Sequence, residues 1–236
     1  HDPALIRPMT DADLAIVLDA AECLPNVMMT VAPEGATNAQ LRQMAAAGVI
    51  VSLGHTDADF DTCMAAFDAG ASGVTLLFNA MSQLGSREPG LVGATLARGD
   101  IHAGLIADAI HVHPAVIRIA LAAAQNNARI MLVTDAMATA GSHIDDFILN
   151  GRKVIRQDHR LTLQDGTLAG ADLEMTRALS VMVNKAGDDV SDAIRRATAT
   201  PRALLRGFGQ CSPLLDRGFF VHHLTDDLSG LTRLGK

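Results

Sequence analysis

A chain of 236 residues can form one large domain, or one and a half, with ample material for a core. At 49% hydrophobic and 19% charged residues it reads as a soluble globular protein rather than a disordered one. The net charge of −7 argues against the basic face that nucleic-acid binding needs, although small anions still bind an acidic protein where local donors outweigh the global field. No apolar run approaches the roughly 18 residues of a membrane span. Cys23, Cys63 and Cys211 are odd in number, far apart and without a CxxC pair, so reduced thiols in a cytoplasmic protein are expected. No signal peptide precedes the fold, and the chain opens at His1 without a methionine, so an upstream part is expected to have existed.

Short apolar runs at residues 26–33, 48–53, 73–78, 102–107 and 129–134 read as strands. The stretches between them (36–47, 58–69, 91–98 and 113–126) are Ala-rich and amphipathic, with Thr37 or Asn38, Asp57 and Pro114 as helix-start signals. A series of this kind implies parallel strands joined by right-handed crossovers. The pattern then changes. Residues 147–150, 153–156 and 160–163 read as short strands, with Asn150-Gly151 and Asp165-Gly166 as turns, which predicts a β-hairpin excursion over about 147–166. Helical runs return at 173–185 and 191–205, the second with a bend at Pro201. Residues 207–236 are Gly-rich with short apolar pieces and read as the remnant of a small β-domain, leaving 1–206 as an incomplete α/β barrel. Five βα units do not close an eight-stranded barrel, so the layer is open or continues upstream. A doubly wound sheet is the alternative, but no glycine-rich phosphate fingerprint follows the first strand.

Polar clusters close these apolar runs: Gly54-His55-Thr56, Phe78-Asn79-Ala80-Met81, Arg87-Glu88-Pro89-Gly90, Asp108-Ala109-Ile110-His111 and Val133-Thr134-Asp135-Ala136. They would gather at one end of a parallel sheet, where α/β barrels keep their chemistry. Two histidines, an arginine and an aspartate so placed point to metal-assisted hydrolysis of a small anionic substrate. His55 is positioned to ligate a divalent metal while its second nitrogen is held by an acceptor; the plainer reading is a structural histidine bonded to a loop carbonyl. Asp135 is placed to take a proton from metal-bound water and return it to a leaving amine, against the simpler role of a helix cap. His111 could orient a substrate carbonyl or hydroxyl. Arg87 can grip phosphate through two parallel hydrogen bonds, or form a surface ion pair with Glu88. Asn79 and Ala80 could offer backbone N–H groups to the same anion. His102, His143, His159, His222 and His223 show no ligating spacing and are background.

Together the motifs resemble N-acetylglucosamine-6-phosphate deacetylase of the amidohydrolase superfamily. The matching segments are Ala32-Pro33-Glu34, Gly54-His55-Thr56, Phe78-Asn79-Ala80-Met81, Arg87-Glu88-Pro89-Gly90-Leu91, residues 107–112, Leu132-Val133-Thr134-Asp135-Ala136 and Leu168-Ala169-Gly170, in order over nearly the whole chain. The resemblance implies a metal-dependent-hydrolase-type TIM barrel (β/α)8, partial in this chain, with remnants of a small β-sandwich. It implies hydrolysis of the acetamide of an amino-sugar phosphate, a divalent metal such as zinc, a sugar-phosphate ligand and a homodimer. By the same resemblance His55 is a metal ligand and Asp135 the catalytic acid/base. Asn79, Ala80 and Arg87 form the phosphate grip, His111 contacts the sugar, Leu168, Ala169 and Gly170 belong to a loop closing on it, and His1 stands beside the substrate carbonyl.

Two departures weigh against the metal. The family places a second metal-binding histidine where this sequence has Leu76, in Thr75-Leu76-Leu77-Phe78-Asn79-Ala80-Met81. Its metal-binding glutamate falls upstream of His1. Only His55 remains of the three protein ligands that a catalytic zinc site usually has. The chain as written is therefore expected to hold metal weakly or not at all, and to lack measurable deacetylase activity. The competing readings are a truncated or decayed non-catalytic relative that keeps a sugar-phosphate pocket, and an amidohydrolase for another amide, which Arg87 and Asn79-Ala80 disfavour.

Overall fold

The computed structural model describes residues 6–205 and 221–234. Its first helix, α1 (Asp11–Cys23), is one that the apolar periodicity misses. Only Leu14 is buried, while Ile16 stands 68% exposed, so no clean apolar stripe marks it. The legible signal is the capping pair: the Thr10 hydroxyl accepts from the Asp13 N–H, and the Asp13 carboxylate accepts from the Thr10 N–H.

Five parallel strands follow: β1 (Met28–Val31), β2 (Ile50–Leu53), β3 (Gly73–Val74), β4 (His102–Ile106) and β5 (Ile130–Val133). They pair in strictly sequential order, β1-β2-β3-β4-β5. Right-handed crossovers in an unreversed order put every helix on one face, which is barrel topology; a doubly wound sheet requires a reversal point. The sheet is thus a run of consecutive barrel staves. The expected strand at 73–78 is shorter than its apolar run. Beyond the two-residue ladder of β3, Thr75 N–H still reaches the Leu53 carbonyl and Leu77 N–H the Gly104 carbonyl, before Phe78 turns to φ 73°.

The helices α2 (Asn38–Ala47), α3 (Phe60–Asp68), α4 (Gly90–Leu96) and α5 (Pro114–Ala123) cover one face. Thr37 caps α2 with Gln40 in a reciprocal pair, and His113 caps α5 through Nδ1 ahead of Pro114. The cap of α3 is Asp59, not Asp57: the Asp59 carboxylate accepts from the Thr62 N–H, while the Asp57 N–H donates to Glu34. Two apolar clusters form the core. One gathers Leu41, Met44, Val51, Leu53, Phe67, Val74 and Leu91 behind β1–β3. The other gathers Leu105, Ile106, Ile117, Leu132, Leu179 and Met182 around β4 and β5, and Phe78 packs against both.

Cys63, on α3, lies inside the first cluster, and burial, followed by the charges of Asp59, Glu34 and Glu88, pushes its thiol up to about 12. Cys23 is exposed. Since the thiolate is the reactive form, a thiol reagent on native protein should label Cys23 and spare Cys63 until denaturant is added. Peptide mapping after labelling reads this directly, and equal labelling of both would show that α3 opens readily.

The excursion after β5 is larger than a hairpin. β6 (Asp146–Leu149), β7 (Arg152–Gln157), β8 (Arg160–Thr162) and β9 (Leu168–Ala171) form a four-stranded antiparallel sheet. Asn150 and Gly151 both take positive φ in the β6–β7 turn, as their dipeptide predicts. Leu168, Ala169 and Gly170, expected as a loop, are the start of β9. The last helices are α6 (Met175–Val181), which continues through one π-helical turn at Met182–Ala186, then α7 (Val190–Ala197) and α8 (Ala199–Leu204). The expected bend at Pro201 occurs earlier, at Thr198 (φ −131°, ψ −74°), because the proline ring in a continuous helix would strike the carbonyl four residues before it. β10 (Val221–Leu224) and β11 (Leu231–Leu234) make an antiparallel hairpin. Residues 207–220, 235 and 236 of the expected β remnant, and His1, lie outside the described residues.

Candidate functional site at the strand ends

Backbone strain marks the carboxyl ends of the staves. His55 after β2, Phe78 and Ala80 after β3, Ala109 after β4 and Asp135 after β5 all take φ between 50° and 73° without being glycine. Such conformations cost of order 1–3 kcal/mol each and persist where the surrounding structure enforces them, which is commonly at functional sites. Here the enforcement is visible. Thr56 N–H donates to the Ala80 carbonyl and Ser82 N–H to the Thr56 carbonyl, tying the ends of β2 and β3 together on either side of His55 and Ala80. Glu34, in the turn after β1, accepts from the Thr56 hydroxyl and from the Asp57 N–H at 3.3 Å, sewing the first stave to the second. Ala171 N–H donates to the Asp135 carbonyl at 2.8 Å, so the β9 segment of Leu168, Ala169 and Gly170 lies beside Asp135.

Burial pushes the Asp135 carboxyl above the ordinary carboxylate range, and the Asp108 charge adds to this, while His111 and His55 oppose it. Those same interactions place His55, Asp108, His111 and Asp135 within one electrostatic neighbourhood. A carboxyl raised toward neutrality is suited to accept and return a proton. Asp108, a member of its strand-end cluster with no role expected of it, is buried with 1% of its side chain exposed. One of its oxygens lies 2.6 Å from His111 Nδ1, and the other accepts from the N–H groups of Ile110 and His111. Burial pushes the Asp108 carboxyl up, but these three donors outweigh it and leave it below its usual range. A buried acid between a strand and an i+3 histidine was the signal available in Asp108-Ala109-Ile110-His111.

The residues expected to grip an anion are arranged only partly as expected. Arg87 is exposed, and among the described residues it forms no ion pair. Glu88 does not pair with it; one oxygen of that carboxylate accepts from the Phe60 and Gly90 N–H groups at 2.7 and 3.0 Å. Gly90, at φ 59°, cannot be replaced freely, since a Cβ there would meet the Ser82 backbone at 2.8 Å; this close approach fixes the loop that carries Arg87. The Asn79 N–H is already committed to the Leu76 carbonyl at 2.7 Å. Of the two backbone donors expected for the anion, only that of Ala80 has no partner among the described residues.

The metal expectation meets the donor set directly. Among the described residues no three His, Cys, Asp or Glu side chains come together as a group able to hold a metal ion. His55 is exposed and lines a cavity of about 570 Å³ with Thr30, Ala32 and Glu34, whose walls do not include Asp135 or His111. Leu76 is half-buried against the second apolar cluster. The described residues by themselves do not supply the roughly three protein donors that a catalytic divalent metal needs.

No family model matches the chain. It is 39% identical over 206 residues to an N-acetylgalactosamine-6-phosphate deacetylase from Shewanella sp. (strain ANA-3), covering 87% of this chain and 52% of that protein. With an N-acetylglucosamine-6-phosphate deacetylase from Bacillus subtilis (strain 168) it shares 39% identity over 149 residues, 63% of this chain and 37% of the relative. Among solved structures it resembles N-acetylglucosamine-6-phosphate deacetylase from Pasteurella multocida, with a TM-score of 0.81 at 32% identity over 87% of this chain and 53% of that one. A mutant of the Mycobacterium smegmatis enzyme, solved in complex with N-acetyl-D-glucosamine-6-phosphate, gives 0.79 at 32% identity, covering 87% and 55%. The chain spans about half the length of the curated relatives it matches.

Proposed function

We propose that the chain belongs to the N-acetylglucosamine/galactosamine-6-phosphate deacetylase family, and that its strand-end site serves removal of the acetyl group from an N-acetylated amino-sugar 6-phosphate, N-acetylglucosamine 6-phosphate above all, giving glucosamine 6-phosphate and acetate. The observation that carries this reading is the gathering of His55, Asp108, His111 and Asp135 on strained strand ends, with the Asp135 carboxyl raised by burial. Asp135 moves the proton, taking it from the attacking water and giving it to the amine that leaves. His111 orients the sugar. The Arg87 guanidinium and the Ala80 N–H hold the phosphate, so that binding energy from the remote anion positions the acetamide. Leu168, Ala169 and Gly170 close beside the sugar from β9. Two of the relatives act on the galactosamine epimer by name, so both epimers belong in the assay.

Phosphate recognition tests the reading separately from catalysis. Arg87→Lys should weaken binding of N-acetylglucosamine 6-phosphate about tenfold or more while barely changing that of N-acetylglucosamine, because an ammonium cannot reproduce a two-pronged contact. Calorimetric titration with both sugars reads the difference; equal effects on the two would give Arg87 a structural role.

The family's metal is a separate matter for these 236 residues. Leu76 puts an apolar side chain where the resemblance calls for a donor, and one imidazole does not hold a hydrated divalent ion against water at micromolar metal. Elemental analysis of the dialysed chain should find zinc well below one equivalent, and no deacetylation should be measurable from the chain by itself. A stoichiometric, chelator-sensitive ion lost on His55→Ala would overturn this and point to donors supplied from elsewhere in the fold. A cytoplasmic homodimer is what the family resemblance carries over with this reading; among the described residues Cys23 and Cys63 are free thiols, and no helix is long and apolar enough to cross a membrane.

A further inference from the structure

The geometry points to Asp108 as a positioning residue that locks His111 in its Nδ1–H tautomer, so that the neutral ring presents Nε2 as a hydrogen-bond acceptor. Asp108 Oδ1 accepts two backbone N–H groups, from Ile110 and His111, each at 2.8 Å. Its Oδ2 stands 2.6 Å from His111 Nδ1. With three donors converging on it the carboxylate is ionised and has no hydrogen to give, so the hydrogen of the third contact must sit on Nδ1. A neutral imidazole carries one N–H, and spending it on Asp108 leaves Nε2 bare. The pair is sealed: 1% of the Asp108 side chain and 8% of the His111 side chain are exposed, so water does not compete for the contact. The position is rigid as well, because Ala109 between them is held at φ 64°.

This separates the two roles that the sequence leaves open for His111. A bare Nε2 accepts from a hydroxyl; it cannot donate to a carbonyl unless the ring is protonated. That the hydroxyl belongs to a sugar rests on the function proposed above, whereas the tautomer does not, and it can be measured without substrate or metal.

The isosteric variant Asp108→Asn makes the test sharp. The amide has a single oxygen, and two backbone N–H groups require it at the Oδ1 position. Its NH2 then faces His111 Nδ1, which must become an acceptor, driving the hydrogen to Nε2. Long-range proton–nitrogen correlation spectra of histidine-labelled chain, with His111 assigned by its loss in His111→Asn and recorded at a pH alkaline enough that the ring carries a single proton, should show a protonated Nδ1 and an unprotonated Nε2. In Asp108→Asn the two nitrogens should exchange character, with the fold checked by circular dichroism. A wild-type His111 protonated at Nε2 overturns the assignment, as does a folded variant whose tautomer is unchanged. If the variant does not fold, the wild-type spectrum decides: a protonated Nδ1 with a strongly downfield proton, as a short bond to carboxylate gives, supports the lock, and its absence overturns it.

Discussion

Asp135→Asn should lower deacetylation by about 10²–10⁴-fold in a metal-loaded protein that carries this chain, while sugar-phosphate binding survives largely intact. The amide matches the carboxylate in shape but neither accepts nor returns a proton, so the loss falls on kcat rather than KM. The same substitution should stabilise the fold. Burial raises the Asp135 carboxyl above its ordinary range, so the native state holds that proton more tightly than the unfolded chain does. Stability from this group is fully present below the ordinary carboxylate range and is lost as pH rises through the raised native value. Asparagine never ionises and so avoids that loss, and it tolerates the φ of 50° at this position. A gain in stability at neutral pH is expected, shrinking toward zero in acid. Steady-state kinetics together with thermal unfolding at the two pH values test both halves. Near-full turnover would remove Asp135 from the reaction, and a variant less stable at neutral pH would show that the carboxylate is held by favourable contacts instead.

The pairing of lost activity with gained stability bears on what the sequence disclosed. The staves were legible because parallel strands buried on both faces read as continuous apolar runs, as at 48–53 and 129–134, and because the runs between them carried caps such as Thr37 with Gln40. α1 was not, since a helix packing one buried leucine has no apolar stripe to read. β9 was missed because Leu168-Ala169-Gly170 has little strand propensity; it is a strand only through its pairing with β8 and its bond to the Asp135 carbonyl. The site was legible as a list of strand-end motifs, yet its internal wiring was not. Nothing in Asn79-Ala80 says that the first N–H is spent on Leu76, and nothing in Arg87-Glu88 says that Glu88 turns to Phe60 and Gly90. Hydrogen-bond partners distant in sequence are decided by the fold, and they determine which donors remain for a ligand.

The largest effect on stability is expected below the site, at the ion pair of Arg196 with Asp188. Arg196 is 3% exposed and Asp188 8%, and Nε donates to the carboxylate at 2.8 Å. The guanidinium also donates to the Asn127 carbonyl and, at 3.3 Å, to that of Ile130, which fastens α7 to the start of β5, the stave that ends in Asp135. Arg196→Met keeps much of the volume but strands a buried carboxylate and two backbone acceptors. Breaking one side of a buried pair costs about 3–5 kcal/mol, most of it the penalty of the unpartnered charge. Its neighbour supplies the control. Arg195 pairs with Asp192 one turn away on the exposed face, and an exposed pair contributes about 0.2–1 kcal/mol, so Arg195→Met should be nearly silent. The double variant Arg196→Met with Asp188→Leu should recover part of the loss, because removing both charges removes the desolvation penalty along with the attraction. Urea unfolding of the four proteins separates these terms. Equal midpoints for the Arg195 and Arg196 variants would mean that water reaches the Arg196 pair, and a double variant no better than Arg196→Met would place the loss in the two orphaned carbonyls rather than in the carboxylate.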